Sequence, residues 1–278
     1  MKKILVTTDF STNSRAAMRF AIQLATQSDY QITFFHSYEV PRPSKWNETV
    51  FKSFENSEST KINKKLQQFV NNVYKALHIS PKAPLNCVAK QSPNPDHNIM
   101  TFAKDNDFNY ICISRKGNSK TSRLFGSNTA TLIKKSKVPV IAIPPTYKRT
   151  KIRSLCYASD LLDLNEELKQ VTDFSSSLGA NVELLHFKTP LDSLTDARKM
   201  SSINQKLTEH GINARFDPLD YEKSLIVNLS KVIKTTKPSM LIMFSNQRRT
   251  LFEKLFVSSI SAEFSSISKI PLLVFKKE

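Results

Sequence analysis

The sequence states one pattern twice: short apolar runs alternate with stretches of helical periodicity, and the landmarks of the first half return in the same order in the second. Residues 4–8 read as a strand, and Ala17, Phe20, Ala21 and Leu24 follow at the spacing of a helix with one buried face. Residues 31–36 are a second strand. After a loop holding Pro41 and Pro43 comes an amphipathic stretch marked by Ile62, Leu66, Phe69, Val70 and Val73. Residues 85–89 and 110–113 are further strands, separated by a helix that Pro95 opens. A helix over 127–136 then leads into the apolar run 138–143.

The second half begins again at residues 154–158, which end in Ser159-Asp160 as the first run ends in Thr8-Asp9. Residues 181–186 close on Leu-Leu-His at His186, as their counterpart closes on Phe-Phe-His at His36. Ser136-Lys137-Val138-Pro139-Val140 is answered by Ser268-Lys269-Ile270-Pro271-Leu272. Between these lie the helical pattern Leu225, Leu229, Val232, Ile233 and the strand 240–244. Strands alternating with helices predict an α/β fold, a parallel sheet covered on both faces in each half. The turn-and-charge segment 144–149 separates the halves, giving expected domains 1–146 and 151–278.

Glycine is scarce, with 4 in 278 residues, yet two of them, Gly117 and Gly126, share the basic, hydroxyl-rich loop SRKGNSKTSRLFGSNT that starts at Ser114. The chain carries 41 Lys and Arg against 24 Asp and Glu, and the excess is concentrated in the first half. Its field favours anions. The cysteines, Cys87, Cys112 and Cys156, are scattered, without histidines at metal-ligand spacing, so no protein-held metal is expected. No stretch approaches the ~20 apolar residues of a membrane span, and the apolar run after Lys2 and Lys3 is too short for a signal peptide. A cytoplasmic, soluble protein is the expectation.

ILVTTDFSTNSRAAMRFA at the start, FFHSYE on the second strand and GNSKTSRLFGSNTATLIKKSKVPVIAIP closing the first half together resemble the universal stress protein family in its tandem two-domain form. The resemblance covers nearly the whole chain and is weaker in the second half. It implies two tandem open parallel five-stranded sheets with helices on both faces, of the adenine-nucleotide alpha-hydrolase type. In the family's nucleotide-binding branch it implies an ATP or AMP site at the carboxyl ends of the strands, with any magnesium arriving on the nucleotide. It also implies self-association through the apolar last strands, 138–143 and 272–275, pairing with each other or across chains.

The physics of the loop points to the same crevice. Beyond the carboxyl ends of a parallel sheet, Asp9, Ser37 and the loop from Ser114 converge. Asp9 can accept from an adenine amino group, or it caps the helix whose first residues are expected to be Ser11, Thr12 and Asn13. Gly117 and Gly126 let backbone approach a phosphate, and Ser127, Asn128 and Thr129 open a helix whose free N–H groups face the anion. The family's loop reads Gly, two residues, Gly, nine residues, then Gly-Ser or Gly-Thr. Here Ser114 stands in the first glycine's place, and eight residues separate Gly117 from Gly126-Ser127. Lys116, Lys120 and Arg123 can compensate by charge. In the second half Ser245, Arg248 and Ser258-Ser259 take these places, leaving no glycine, so that domain is expected to be nucleotide-free.

The expected function is non-enzymatic: a stress-response regulator binding ATP or AMP in its first domain. No phosphate-loop lysine motif, nucleophile elbow or metalloprotease helix occurs, and no catalytic residue is assigned; slow ATP hydrolysis stays open. Two other readings stand beside it. One is a nucleotide-independent dimerisation or interaction module. The other is a basic nucleic-acid-binding protein using Trp46 as a stacking residue, against which the missing aromatic signatures of RNA modules argue.

Overall fold

Strands that are apolar on both faces need helices on both faces, and the chain supplies them in strict alternation. The computed structural model describes residues 1–41, 43–115, 127–188, 197–245 and 267–277. The first half runs β1 (Lys2–Thr7), α1 (Arg15–Gln27), β2 (Tyr30–Tyr38), α2 (Glu48–Ala76), β3 (Asn86–Gln91), α3 (Pro95–Asp105), β4 (Tyr110–Ser114), α4 (Ser127–Lys135) and β5 (Val140–Ile143). The second runs β6 (Ser154–Ala158), α5 (Leu164–Ser176), β7 (Asn181–Lys188), α6 (Ala197–Glu209), β8 (Asn213–Pro218), α7 (Leu225–Thr236) and β9 (Met240–Ser245). A 3-10 turn (Ile267–Lys269) then leads into β10 (Leu272–Lys276).

The strands form one ten-stranded sheet in the order β3-β2-β1-β4-β5-β10-β9-β6-β7-β8. Within each group of five, every pairing is parallel. The two groups meet at an antiparallel seam between β5 and β10, so the last strands of the halves pair with each other inside one chain. One core lies under α1, α2, α5 and α6 and the other under α3, α4 and α7, and each passes through both halves. Helix α1 starts at Arg15, four residues later than Ser11, because residues 11–14 are spent on a hydrogen-bonded turn.

Period-two alternation makes the seam possible. Leu273 lies opposite Ile141 on one face, while Leu272 opposite Ala142 and Val274 opposite Val140 face the other. All six are buried, and burying each large one contributes about 1.5–3 kcal/mol. The connector is drawn into the same core: Tyr147 packs edge-on against Phe20, and the backbone N–H of Ile152 donates to Gln27 Oε1 at 2.7 Å. Arg115, just past β4, is 2% exposed; it donates from Nη1 to Ile267 O at 3.1 Å and from Nη2 to Ile270 O at 2.8 Å. Burial lowers the pKa of this guanidinium, and carbonyls of the second half offset the cost of its charge.

A continuous core predicts that the halves melt together. Leu273→Ala should cost about 2–5 kcal/mol and lower the melting temperature of the whole chain in a single calorimetric transition. Two separate transitions, with only the second one moved, would contradict the shared core.

Candidate functional site

The site grows out of the turn that ends β1. The Thr8 N–H donates to Phe35 O at 2.9 Å, continuing the β1–β2 ladder by one rung. The chain then reverses at Phe10, whose φ of 62° is a left-handed conformation held by neighbouring side chains. Thr8 Oγ1 accepts the Phe10 N–H at 3.0 Å, and Asp9 Oδ1 accepts the Ser11 N–H at 3.0 Å. Thr8 and Ser14 join their hydroxyls at 2.8 Å. Asp9 therefore anchors its own turn. Desolvation pushes its pKa up, but the hydrogen bonds from Ser11 outweigh that and hold it below the usual carboxylate value.

His36 fixes the turn from below. Its Nδ1 lies 2.7 Å from Thr8 O, which makes Nδ1 the protonated nitrogen of the neutral ring, and Phe10 packs on the imidazole with centroids 4.2 Å apart. Burial is the main cause holding the His36 pKa below its ordinary value, with Lys65 acting in the same direction.

Across from this turn, α4 begins at Ser127 and presents first-turn N–H groups that have no acceptor within the helix. Between them lies a cleft of about 320 Å³ lined by Thr7, Thr8, Asp9, Ser11, Asn13, Ser14, Ser37, Ser114, Arg115, Ser127, Asn128 and Thr129, with Phe35, Pro95, Ile99 and Ile113 as its apolar floor and wall. Of the residues expected from the sequence, Asp9, Ser37, Ser114, Ser127 and Asn128 come together here. Gly117 and Gly126, with Lys116, Lys120 and Arg123, lie outside the described residues, as do Arg248 and Ser258-Ser259 of the second half. The hydroxyl and amide lining from Thr8, Ser11, Asn13 and Ser14 was not anticipated. Its signal was the run of small polar residues from Ser11 to Ser14, readable only as a helix cap without the sheet to place it.

Ser114 has a second occupation. The α1 N-cap, Ser14, makes no side-chain cap bond, because its hydroxyl is committed to Thr8 and to Ser11 O. Ser114 Oγ takes over, accepting the Ala17 N–H at 2.9 Å from a strand away. Ser114 thus serves as a remote helix cap. Ser37 is held likewise, its Oγ accepting from Asn98 Nδ2 at 2.7 Å. Trp46 sits edge-on against Phe54 of α2, centroids 5.1 Å apart.

The bonds that hold the backbone of the turn recur in the second half. The Ser159 N–H donates to Leu185 O at 3.1 Å, Ser159 Oγ accepts the Leu161 N–H at 3.0 Å, and Asp160 Oδ1 accepts the Leu162 N–H at 3.1 Å. Leu161 has φ of 64°, and His186 Nδ1 lies 3.0 Å from Ser159 O. Strand register corrects one expected match: Tyr110 beside Ile4 corresponds to Met240 beside Leu155, so Phe244 stands at the Ser114 position, and Ser245, at the Arg115 position, donates to Phe275 O at 3.2 Å.

The family model for the universal stress protein family matches residues 1–144. Among solved structures, a universal stress protein from Archaeoglobus fulgidus DSM 4304 aligns with a TM-score of 0.62 at 16% identity, over 99% of this chain and 98% of that one. A putative universal stress protein from Pseudomonas aeruginosa UCBPP-PA14 aligns with a TM-score of 0.59 at 11% identity, over 99% and 93%. At these identities the likeness is one of fold. No curated protein matches the sequence.

Two expectations follow from the geometry. Ser114→Ala should destabilise the chain by about 1 kcal/mol through the lost α1 cap, read as a shifted urea midpoint at unchanged m-value. For His36, the folded state binds fewer protons than the unfolded one wherever its pKa lies below the unfolded value of about 6.5. Stability should therefore fall as pH drops through about 6.5 and level off below the folded pKa, with the His36 ring titrating below 6.5 by NMR. A ring titrating above that value would contradict the burial argument.

Proposed function

The chain belongs to the universal stress protein family, and from that premise we propose that it is a tandem member acting as a non-enzymatic stress-response regulator, with residues 1–146 binding ATP or AMP and residues 151–278 binding none. One observation carries the reading. The cleft offers an anchored carboxylate, Asp9, at one end and the opening turn of α4 at the other, which suits a molecule with an amino-bearing base and an anionic tail. Asp9 accepts from the base, and Ser127, Asn128 and Thr129 present N–H groups to phosphate. Ser11, Ser14 and Ser37 line the same cleft.

Binding without turnover fits the lining. Among the described residues that line the cleft, Asp9 is the sole carboxylate and no histidine or cysteine joins it. No helix among the described residues is long and apolar enough to cross a membrane. The edges that were candidates for association between chains, β5 and β10, are engaged with each other, which favours pairing within the chain over pairing between chains.

Titration calorimetry should give one ATP or AMP per chain, and Asp9→Ala should weaken binding at least tenfold with the melting temperature lowered by only a few degrees. Two equal sites would contradict the asymmetry. No affinity at millimolar concentration would leave the nucleotide-independent interaction module as the better reading.

A further inference from the structure

The second half repeats the turn of the first but not its cleft. Beyond Ala158, Ser159 and Asp160, the free volume is about 10 Å³, room for no more than one water, against about 320 Å³ in the first half. What fills it is Lys277, the residue after β10. Its Nζ lies 2.6 Å from Glu167 Oε1, 3.0 Å from Asp163 Oδ2 and 3.3 Å from Asp160 Oδ1, and its side chain is 9% exposed. The backbone places it there, since the Lys277 N–H donates to Ser245 O at 3.0 Å and extends the β9–β10 ladder.

The receptor is built as well as the occupant. Glu167 has a side chain only 3% exposed, and its second oxygen accepts from the Tyr157 hydroxyl and, at 2.9 Å, from Ser159 Oγ. Glu167 thus has one oxygen fixed by hydroxyls and the other turned to the ammonium. In the first half, the opening turn of α1 carries Ala16, Ala17 and Met18, all buried and apolar, and Pro145 takes the Lys277 position when the Ser-Lys-Val-Pro-Val and Ser-Lys-Ile-Pro-Leu segments are aligned. The positions of Glu167 and Lys277 thus carry no charged side chain in the first half.

We infer that the crevice of the second half is a primary-ammonium site, occupied in cis by Lys277, where the first half offers an anion site. A buried ammonium surrounded by three carboxylates satisfies the charge pairing that burial demands. Three carboxylates to one ammonium leave the site net negative, which refuses a phosphate even if the lysine swings out. Its outer side opens on a hollow of about 380 Å³ whose wall carries Asp163, Glu166, Glu167 and Asp173 against one further cation, Lys169, a route by which a small amine can reach the carboxylates. The inference does not depend on nucleotide binding in the first half.

Lys277→Ala removes three methylenes and the ammonium, so n-propylammonium is the missing piece. The substitution should lower the melting temperature by roughly 6–20 degrees. n-Propylammonium chloride at tens of millimolar should recover at least half of that loss, where potassium chloride at equal ionic strength and n-propanol do not, and wild type should be unmoved by all three. Recovery by potassium chloride alone, or by none of them, would overturn the ammonium site. The unaltered protein gives a second measure that needs no variant to fold: in competitive acetylation read by mass spectrometry, Lys277 should label at least tenfold more slowly than Lys52 and Lys61, whose side chains are 66% and 69% exposed. Equal labelling would overturn the occupancy.

Discussion

The antiparallel pairing of β5 with β10 is the constraint on which the rest of the structure depends. A five-stranded parallel sheet that ends on an all-apolar strand has an edge that must be covered, paired or charged. Here each half supplies the cover for the other, and the alternation of Val140, Ile141 and Ala142 against Val274, Leu273 and Leu272 keeps both faces in register across the seam. Two consequences follow. The cores on the two sides of the sheet run unbroken through both halves, and the connector, through Tyr147 and Ile152, is part of that core. The outer edges fall to β3 and β8, short strands whose residues are half-exposed and include Lys90, Arg215 and Asp217.

The seam also reaches the site. Arg115 follows Ser114 directly, its N–H donating to Ile143 O at 2.7 Å while its side chain ends on carbonyls of the second half. The start of the loop after β4 is therefore held by the first half's backbone and by the second half's 267–270 segment together. Ser114, one residue earlier, is held by α1 through Ala17. The floor of the cleft is fixed before any ligand arrives, which reduces the ordering cost of binding.

Much of this was legible in the sequence, for a physical reason. Strands buried on both faces must be continuous apolar runs, so β1, β4, β5, β6, β9 and β10 announce themselves by composition. Edge strands carry no such demand. The β8 strand, Asn-Ala-Arg-Phe-Asp-Pro, shows no apolar run and was not anticipated. The duplication was readable because the turn after β1 and β6 needs the same few side chains, Thr8 or Ser159, Asp9 or Asp160, and His36 or His186, to hold a left-handed residue. The remote cap by Ser114 and the Lys277 cluster were not readable, since both join residues that only the folded sheet brings together. Asp160 anchors its turn as Asp9 does and is also a wall of a charged site, a role set by Glu167 and Lys277 at distances the sequence does not encode.

The net charge of +17 would suggest that any crevice on this chain attracts anions. The second half shows why that step fails. It too carries more Lys and Arg than Asp and Glu, yet its crevice is acidic. Fields from exposed charges fade over a Debye length of about 8 Å at physiological salt, whereas a half-buried cluster is screened far less. Three carboxylates lie within 3.3 Å of the Lys277 ammonium in the second crevice, while Asp9 shares the first with Arg115 and a helix N-terminus. One turn, repeated with the same backbone-holding bonds, can thus present opposite electrostatics, because the turn fixes only the backbone. The sign of the site is set by what the next helix and the last strand bring to it: Ala16, Ala17 and Pro145 in one half, Glu167 and Lys277 in the other.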